Sequence, residues 1–181
     1  MRRAGILLHP TSLPGPGPCG DLGESAYRFL DWLASAGCTL WQVLPLNPTG
    51  GGFSPYGSPG SFAGAPHLIS LDRLVVDGLL RIDEVRGRPH SPGRVDTEAL
   101  ETWHRPLLHT ACDRMVEQDP DAVAKFGEDR PWALQWALFQ ALREHLKVDG
   151  WWQFPQELID LEPAALDAAS DQHHSVIQRH L

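Results

Sequence analysis

The sequence predicts an α/β chain that becomes mostly helical after its first part. Three observations predict this. Two short apolar runs, Gly5-Ile6-Leu7-Leu8 and Leu40-Trp41-Gln42-Val43-Leu44, are each stopped by a proline, Pro10 after His9 and Pro45. A helical pattern lies between them. Near residue 80 the composition shifts from Gly and Pro to Ala, Leu, Trp and charge.

The first run reads as a buried strand, because proline cannot donate to a ladder and ends it. A Pro/Gly loop follows from Pro14 to Gly20. Asp21 and Glu24 then stand at capping-box spacing. Leu22, Ala26, Phe29, Leu30 and Leu33 form one apolar stripe at helical period. Gly37 is placed to end the helix in the left-handed conformation that glycine adopts without steric cost. The second run is the second strand. Strand, helix and strand make a βαβ unit with parallel strands, which needs more strands beside it before both faces are covered.

Residues 47–66 form a long loop that leaves the C-terminal end of the second strand, where α/β folds place ligands. Phe53, Tyr56 and Phe62 argue for an ordered loop. Asp77–Arg94 is polar and turn-rich. A helix is expected after Asp96, with Leu100, Trp103, Leu107 and Leu108 on one face, and Pro106 should kink or split it. Another is expected from Pro131, carrying Leu134, Leu138, Ala141 and Leu142. Trp151-Trp152 lies in a connection, and a last helix begins near Pro163, an N1-type proline.

The composition excludes several classes. Hydrophobic residues are 42% and charged residues 21%, which is ordinary for a globular chain and rules out disorder throughout. No apolar run approaches the roughly 18–20 residues of a membrane span, and the apolar stretch after Arg2-Arg3 is too short for a signal peptide. A net charge of −8 disfavours nucleic-acid or anionic-membrane partners. The three cysteines, Cys19, Cys38 and Cys112, are odd in number and lack metal spacing, so they read as free thiols in a reducing cytoplasm.

Four signals carry chemistry, each with a plainer reading beside it. Gly50-Gly51-Gly52 resembles a phosphate cradle, but no Lys-Ser/Thr follows, so a flexible loop is the better reading. His173-His174 and His180 lack a carboxylate or cysteine at metal spacing and read as exposed histidines. Trp132 and Trp136 are at helical spacing and read as core rather than sugar platforms. Tyr56, in Ser54-Pro55-Tyr56-Gly57-Ser58, is a stronger ligand candidate. An aromatic face with a hydroxyl stacks on a pyranose and hydrogen-bonds it, and the Ser54 hydroxyl is two residues away. The pattern alone leaves this reading level with one in which Tyr56 plugs its own loop.

The ordered set His9-Pro10-Thr11-Ser12-Leu13-Pro14-Gly15-Pro16, Trp41-Gln42-Val43-Leu44-Pro45-Leu46, Pro48-Thr49-Gly50, Ser54-Pro55-Tyr56 and Phe62-Ala63-Gly64 resembles the amylomaltases. These are the 4-α-glucanotransferases, or disproportionating enzymes, of glycoside hydrolase family 77. The likeness is specific over residues 5–72. It continues more weakly through Gly93-Arg94-Val95-Asp96, Leu100, Trp103 and Pro106, then residues 132–142 and Trp151-Trp152.

The resemblance implies the first two strands of a (β/α)8 barrel followed by a mostly helical insertion, with the barrel incomplete in this chain. Residues 1–74 would be the barrel segment and its substrate loop, and 75–181 the insertion. The implied reaction passes α-1,4-glucan segments between maltooligosaccharides with retention, using two carboxylates about 5–5.5 Å apart. It needs no organic cofactor and no metal. In the family those carboxylates lie on later strands, so no residue here is expected to be catalytic and the chain alone is expected to be inactive. Ser54 and Tyr56 match residues lining the donor sugar site, and His9 matches a position near it at the end of the first strand. Asn47 stands where the family pattern has Gly, and Ala65 where it has Asn.

Arg81-Ile82-Asp83-Glu84-Val85-Arg86-Gly87 is similar to the family's nucleophile motif, Arg-Ile-Asp-His-Phe-Arg-Gly. It is set aside because Glu84 replaces the His, it lies in a variable polar connection, and no acid/base motif follows. A second reading of the chain is a short non-catalytic maltodextrin-binding protein or one half of a split protein, completed by a separate C-terminal half. Unpaired edges on a two-stranded sheet predict poor stability in isolation.

Overall fold

The computed structural model describes residues 2–50 and 52–181. The chain divides into two compact units, one running up to Ala111 and the other Cys112–Leu181.

In the first unit, β1 (Gly5–Leu7) and β2 (Leu40–Gln42) pair in parallel, Ile6 opposite Trp41. Thr39 donates to Ala4 at one end and Leu8 donates to Gln42 at the other. Between them runs α1 (Glu24–Ser35), whose Phe29 meets Trp41 edge to face at 5.0 Å. The βαβ reading therefore holds, with two differences. The strands are three residues long. Nor are they buried: Leu7 is 55% exposed and Leu40 is exposed as well, because the sheet has two strands and little covers them.

The start of α1 departs from a capping box. Its N-cap is Gly23, with no side-chain cap. Asp21 instead accepts from the Gly23 amide at 2.8 Å, an Asx turn just before the helix. Ala26 and Leu33 are buried, while Leu22 and Leu30 of the expected stripe are exposed. The C-terminus is as the sequence predicts: Gly37 has φ +73, and Cys38 donates back to Leu33.

The apolar core of this unit is Leu71, Leu80, Val85, Leu108 and Ala111, with Trp103 and Leu107 packed against it. Leu71 opens the short helix α2 (Leu71–Val76), and Leu80 and Val85 come from the polar, turn-rich stretch. That stretch carries its own apolar anchors. The helix after Asp96, expected to kink or split at Pro106, instead runs on from Thr97 to Gln118 with a change of winding inside it. A turn of α-helix, α3 (Thr97–Ala99), capped by the Asp96 carboxylate on the Ala99 amide, passes into a π segment at Leu100–His104. Helix α4 (Arg105–Gln118) follows. The wide π turn ends just before Pro106, the residue that supplies no amide hydrogen for the preceding carbonyls.

The second unit is helical: α5 (Pro120–Asp129), α6 (Pro131–Leu146), α7 (Gln156–Ile159), α8 (Pro163–Gln172) and α9 (His174–His180). Its centre is the contact of α6 with α9, where Ala137, Ala141 and Ile177 are buried. The face of α6 that goes inside is Ala133, Ala137, Ala141 and Leu142, whereas Leu134 is 41% exposed. The apolar stripe read from the leucines is thus rotated toward the alanines, whose short side chains admit a close neighbour. The expected final helix is broken at His173 into α8 and α9. Arg179 of α9 clasps Asp113 at 2.8 and 3.2 Å, and His180 meets Glu144 at 3.1 Å.

Candidate functional site

The site is built on the C-terminal ends of the two strands. His9 follows β1 and caps a 3-10 turn, Pro10–Ser12. Its Nδ1 accepts from the Thr11 amide and lies 2.8 Å from the Thr11 hydroxyl. That fixes the proton on Nε2, which donates to the Pro45 carbonyl beyond β2 at 3.4 Å. The Trp41 indole donates to the Leu8 carbonyl at 2.7 Å. Two side chains therefore lace the strand ends together. Both nitrogens of His9 are engaged by the protein, so in this arrangement it offers no free lone pair to a ligand.

The loop beyond Pro45 carries the exposed groups. Gly50 donates to Gly57 at 2.9 Å, and Gly57 donates to Ser54 at 3.0 Å. A Cβ at Gly50 would stand 2.6 Å from the Gly57 carbonyl oxygen, so this inner crossing requires glycine. Gly51, in the middle of the supposed phosphate cradle, lies outside the described residues. Phe53 adopts φ +55, a conformation rare for a bulky side chain. At the tip the Ser54 hydroxyl accepts from the Tyr56 amide at 3.4 Å, which ties the two candidate residues together. Tyr56 is 74% exposed and so does not fill its own loop; Phe62 is exposed as well. No hydrogen bond joins His9 to Ser54 or Tyr56 among the described residues. The arrangement presents an aromatic face and a hydroxyl to solvent. It holds no acid–base pair.

The loop also contains a residue whose role the sequence did not reveal. Asn47 donates to the carbonyls of Ser61 and Ala63, at 2.7 and 3.1 Å. Nothing in its sequence neighbourhood marks those partners, which lie 14 and 16 residues away.

A polar cluster elsewhere in the first unit was equally silent. Cys19, Asp21, His67, Arg88 and His104 line a cavity of about 20 Å³, room for one water molecule. Burial, with the Asp21 charge second, pushes the Cys19 thiol up to about 12, so it stays protonated and unreactive. Burial raises the Asp21 carboxyl too. Burial, then His104 and His9, lowers His67 to about 4, and burial lowers His104. His104 meets the Ile69 carbonyl at 3.2 Å, and Asp72 pairs with Arg88 at 3.0 Å. The Arg88–Asp72 ion pair and the Cys19 and His104 contacts hold the segment together, and the protonated Cys19 thiol is no nucleophile.

Of the other signals, Trp132, expected in the core, is 38% exposed and Trp136 is half-buried, while the rest resolve into structure. In the Arg81–Gly87 segment, Glu84 accepts from the Arg81 amide at 2.8 Å and pairs with its guanidinium at 3.0 Å, while Asp83 meets the same Arg81 at 3.4 Å. Val85 is 2% exposed and pins this turn to the core. It is a self-capped surface turn. His173, expected to be exposed, is buried, its ring 4.6 Å from that of His145, because the chain turns there between α8 and α9. No group of three or more metal-ligating side chains is assembled among the described residues. Trp151 and Trp152 are both exposed.

Residues 8–181 match the family model for 4-alpha-glucanotransferase. The chain belongs to that family. It is 43% identical over 173 residues to the 4-alpha-glucanotransferase of Thermus thermophilus, covering 93% of this chain and 34% of the relative. It is 40% identical over 173 residues to the chloroplastic/amyloplastic 4-alpha-glucanotransferase of Arabidopsis thaliana, covering 92% and 30%. Among solved structures, amylomaltase from Streptococcus agalactiae in complex with acarbose superposes with a TM-score of 0.92 at 31% identity, covering 99% of this chain and 37% of that one. The chain thus spans about a third of the length of the 4-alpha-glucanotransferases it matches. It carries part of the family fold, mostly helical with two parallel strands, and its described residues close no barrel. No helix among the described residues is long and apolar enough to cross a membrane.

Proposed function

We propose that this chain is the N-terminal portion of a 4-α-glucanotransferase that moves α-1,4-glucan segments between maltooligosaccharides with retention. The observation that carries the reading is the exposed Ser54–Tyr56 tip, standing beyond the laced C-terminal ends of two parallel strands. In that reading β1 and β2 are the first two strands of a (β/α)8 barrel, where substrate sites gather at the C-terminal face. Residues 1–74 are the barrel segment and 75–181 the helical insertion, a division by role that differs from the two units in space. Tyr56 stacks on a donor-side glucose, the Ser54 hydroxyl bonds it, and His9 sets the floor. Acarbose in the amylomaltase structure supports an oligosaccharide as the ligand class.

The chemistry requires a carboxylate nucleophile and a carboxyl acid/base about 5–5.5 Å apart. No residue of this chain takes either role, so the chain by itself does not turn over, and no cofactor or metal enters. Free thiols at Cys19, Cys38 and Cys112 support a reducing, cytoplasmic setting. The test is a maltotriose disproportionation assay. This chain alone should release no glucose. Fused to the matching remainder of the Thermus thermophilus relative it should, and Tyr56→Ala should depress that activity at least tenfold by removing a stacking face. Full activity in the Tyr56→Ala fusion would contradict the proposal.

A further inference from the structure

We propose that Asn47 is the positioning residue of the candidate glucan loop. Its carboxamide closes the base of the loop and so fixes where Ser54 and Tyr56 stand. The inference rests on the functional reading above. The loop's exposed tip has few bonds of its own, and its inner crossing is held by Gly50, Ser54 and Gly57. What holds the loop to the strand end is at its base. There the Ala65 amide donates to the Leu46 carbonyl at 2.8 Å, bringing the outgoing and returning chains side by side. Asn47 is the next residue on the outgoing chain. Its Nδ2 spends both hydrogens on the returning one, at Ser61 and Ala63.

Both acceptors are carbonyl oxygens, so only the amide nitrogen fits there, and the orientation of the side chain is settled by chemistry. Asn47 is half-buried, and Pro48, Ala63 and Ala65 around it are buried. The bond to the buried Ala63 is the costly one to lose, since its carbonyl would be left without a partner, whereas the carbonyl of the exposed Ser61 can turn to water. The clamp encloses every residue of the loop from 48 to 60. Asn47 also stands where the family pattern has Gly, across the base from Ala65, where the pattern has Asn.

The test uses the whole chain and two variants. Asn47→Asp keeps the size and shape but replaces the donor with an acceptor facing two carbonyls, so a packing role would survive it and a clamp would not. Asn47→Ala removes the group altogether. Hydrogen exchange is read at the Gly50, Gly57 and Ala65 amides, with Ala137 and Ala141 of α6 as the reference for a folded second unit. Maltotriose affinity is read by calorimetry on the same samples. Both variants should raise exchange at the loop amides about tenfold or more, as loss of two bonds implies. They should leave α6 unchanged and weaken maltotriose binding several-fold.

Loop exchange within about twofold of the unaltered chain would overturn the clamp, since lost bonds must speed local opening. Faster loop exchange with unchanged maltotriose affinity would overturn the positioning role. An unaltered chain with no affinity for maltotriose, but with faster exchange in the variants, would overturn the sugar reading of the loop. The clamp would then remain as a fact about the fold alone.

Discussion

The two units of this chain close themselves in different ways. In the second, α6 lays a face of alanines against α9, and Ala137 reaches 0% exposure with partners from the same 70 residues. In the first, α1 packs on two short parallel strands, yet Leu7, Leu22, Leu30, Trp32 and Leu40 stay exposed. The difference follows from backbone hydrogen bonding. A helix satisfies its backbone groups internally and needs only its apolar face covered, so a helical unit closes on itself with few partners. A parallel strand meets its next neighbour only after a crossover of a dozen or more residues, so a sheet is complete only when several βα units are present. The first unit is anchored by its turn-and-helix core around Leu80 and Val85 rather than by its sheet.

If that contrast is right, substitutions sort by unit. The largest effect should come from Leu80→Ala. Leu80 is 3% exposed in the main core of the first unit, and the change should cost about 2–5 kcal/mol, measured as a drop in the urea midpoint followed by a first-unit probe such as Trp41 or Trp103. Next is Ala137→Leu, which forces three extra carbons into the α6–α9 contact. It should cost about 1–3 kcal/mol and appear in the helical signal of the second unit. At the open sheet, Leu7→Thr should change stability by less than about 0.5 kcal/mol in this chain. A cost as large as that of Leu80→Ala would mean the sheet is already a closed core.

Acid should act on the first unit. His67 is lowered from 6.5 to about 4, and His104 is lowered as well, both chiefly by burial. A histidine held below its unfolded value stabilises fully above pH 6.5 and loses that contribution as pH falls toward 4. The raised Asp21 works with the opposite sign, favouring the fold once it is protonated, so it softens the loss at the acid end. The first unit's urea midpoint should fall between pH 6.5 and 4, and His67→Gln should flatten that slope. A small effect is also expected at the half-exposed Arg179–Asp113 pair, where Asp113→Asn should cost about 0.2–1 kcal/mol, less at high salt.

What could be read in advance was local. The prolines at 10 and 45 and the glycine at 37 mark βαβ boundaries through single-residue backbone constraints, and those constraints hold in the structure. Tyr56 between turn residues leaves a displayed ring level with one that plugs its own loop, and only the structure shows the ring to be exposed. Asp119-Pro120 is a helix start of the same local kind, with Asp119 accepting from the Ala122 amide at 3.0 Å. The rest depends on neighbours far along the chain. The inward face of α6 is decided by how close α9 can come, which favours Ala137 over Leu134. Burial of His173 depends on the break between α8 and α9. The bonds of Asn47 and the cavity around Asp21 join segments that no periodicity connects.

The central claim is that the tip of the 47–66 loop is a glucan contact already formed in this part of the fold. The most direct measurement is titration of the chain with maltotriose by calorimetry, beside Tyr56→Ala. The account predicts saturable binding at millimolar concentration or better that Tyr56→Ala abolishes while the circular dichroism spectrum stays the same. Binding that survives Tyr56→Ala unchanged, or none at all in a chain that unfolds cooperatively, would contradict it.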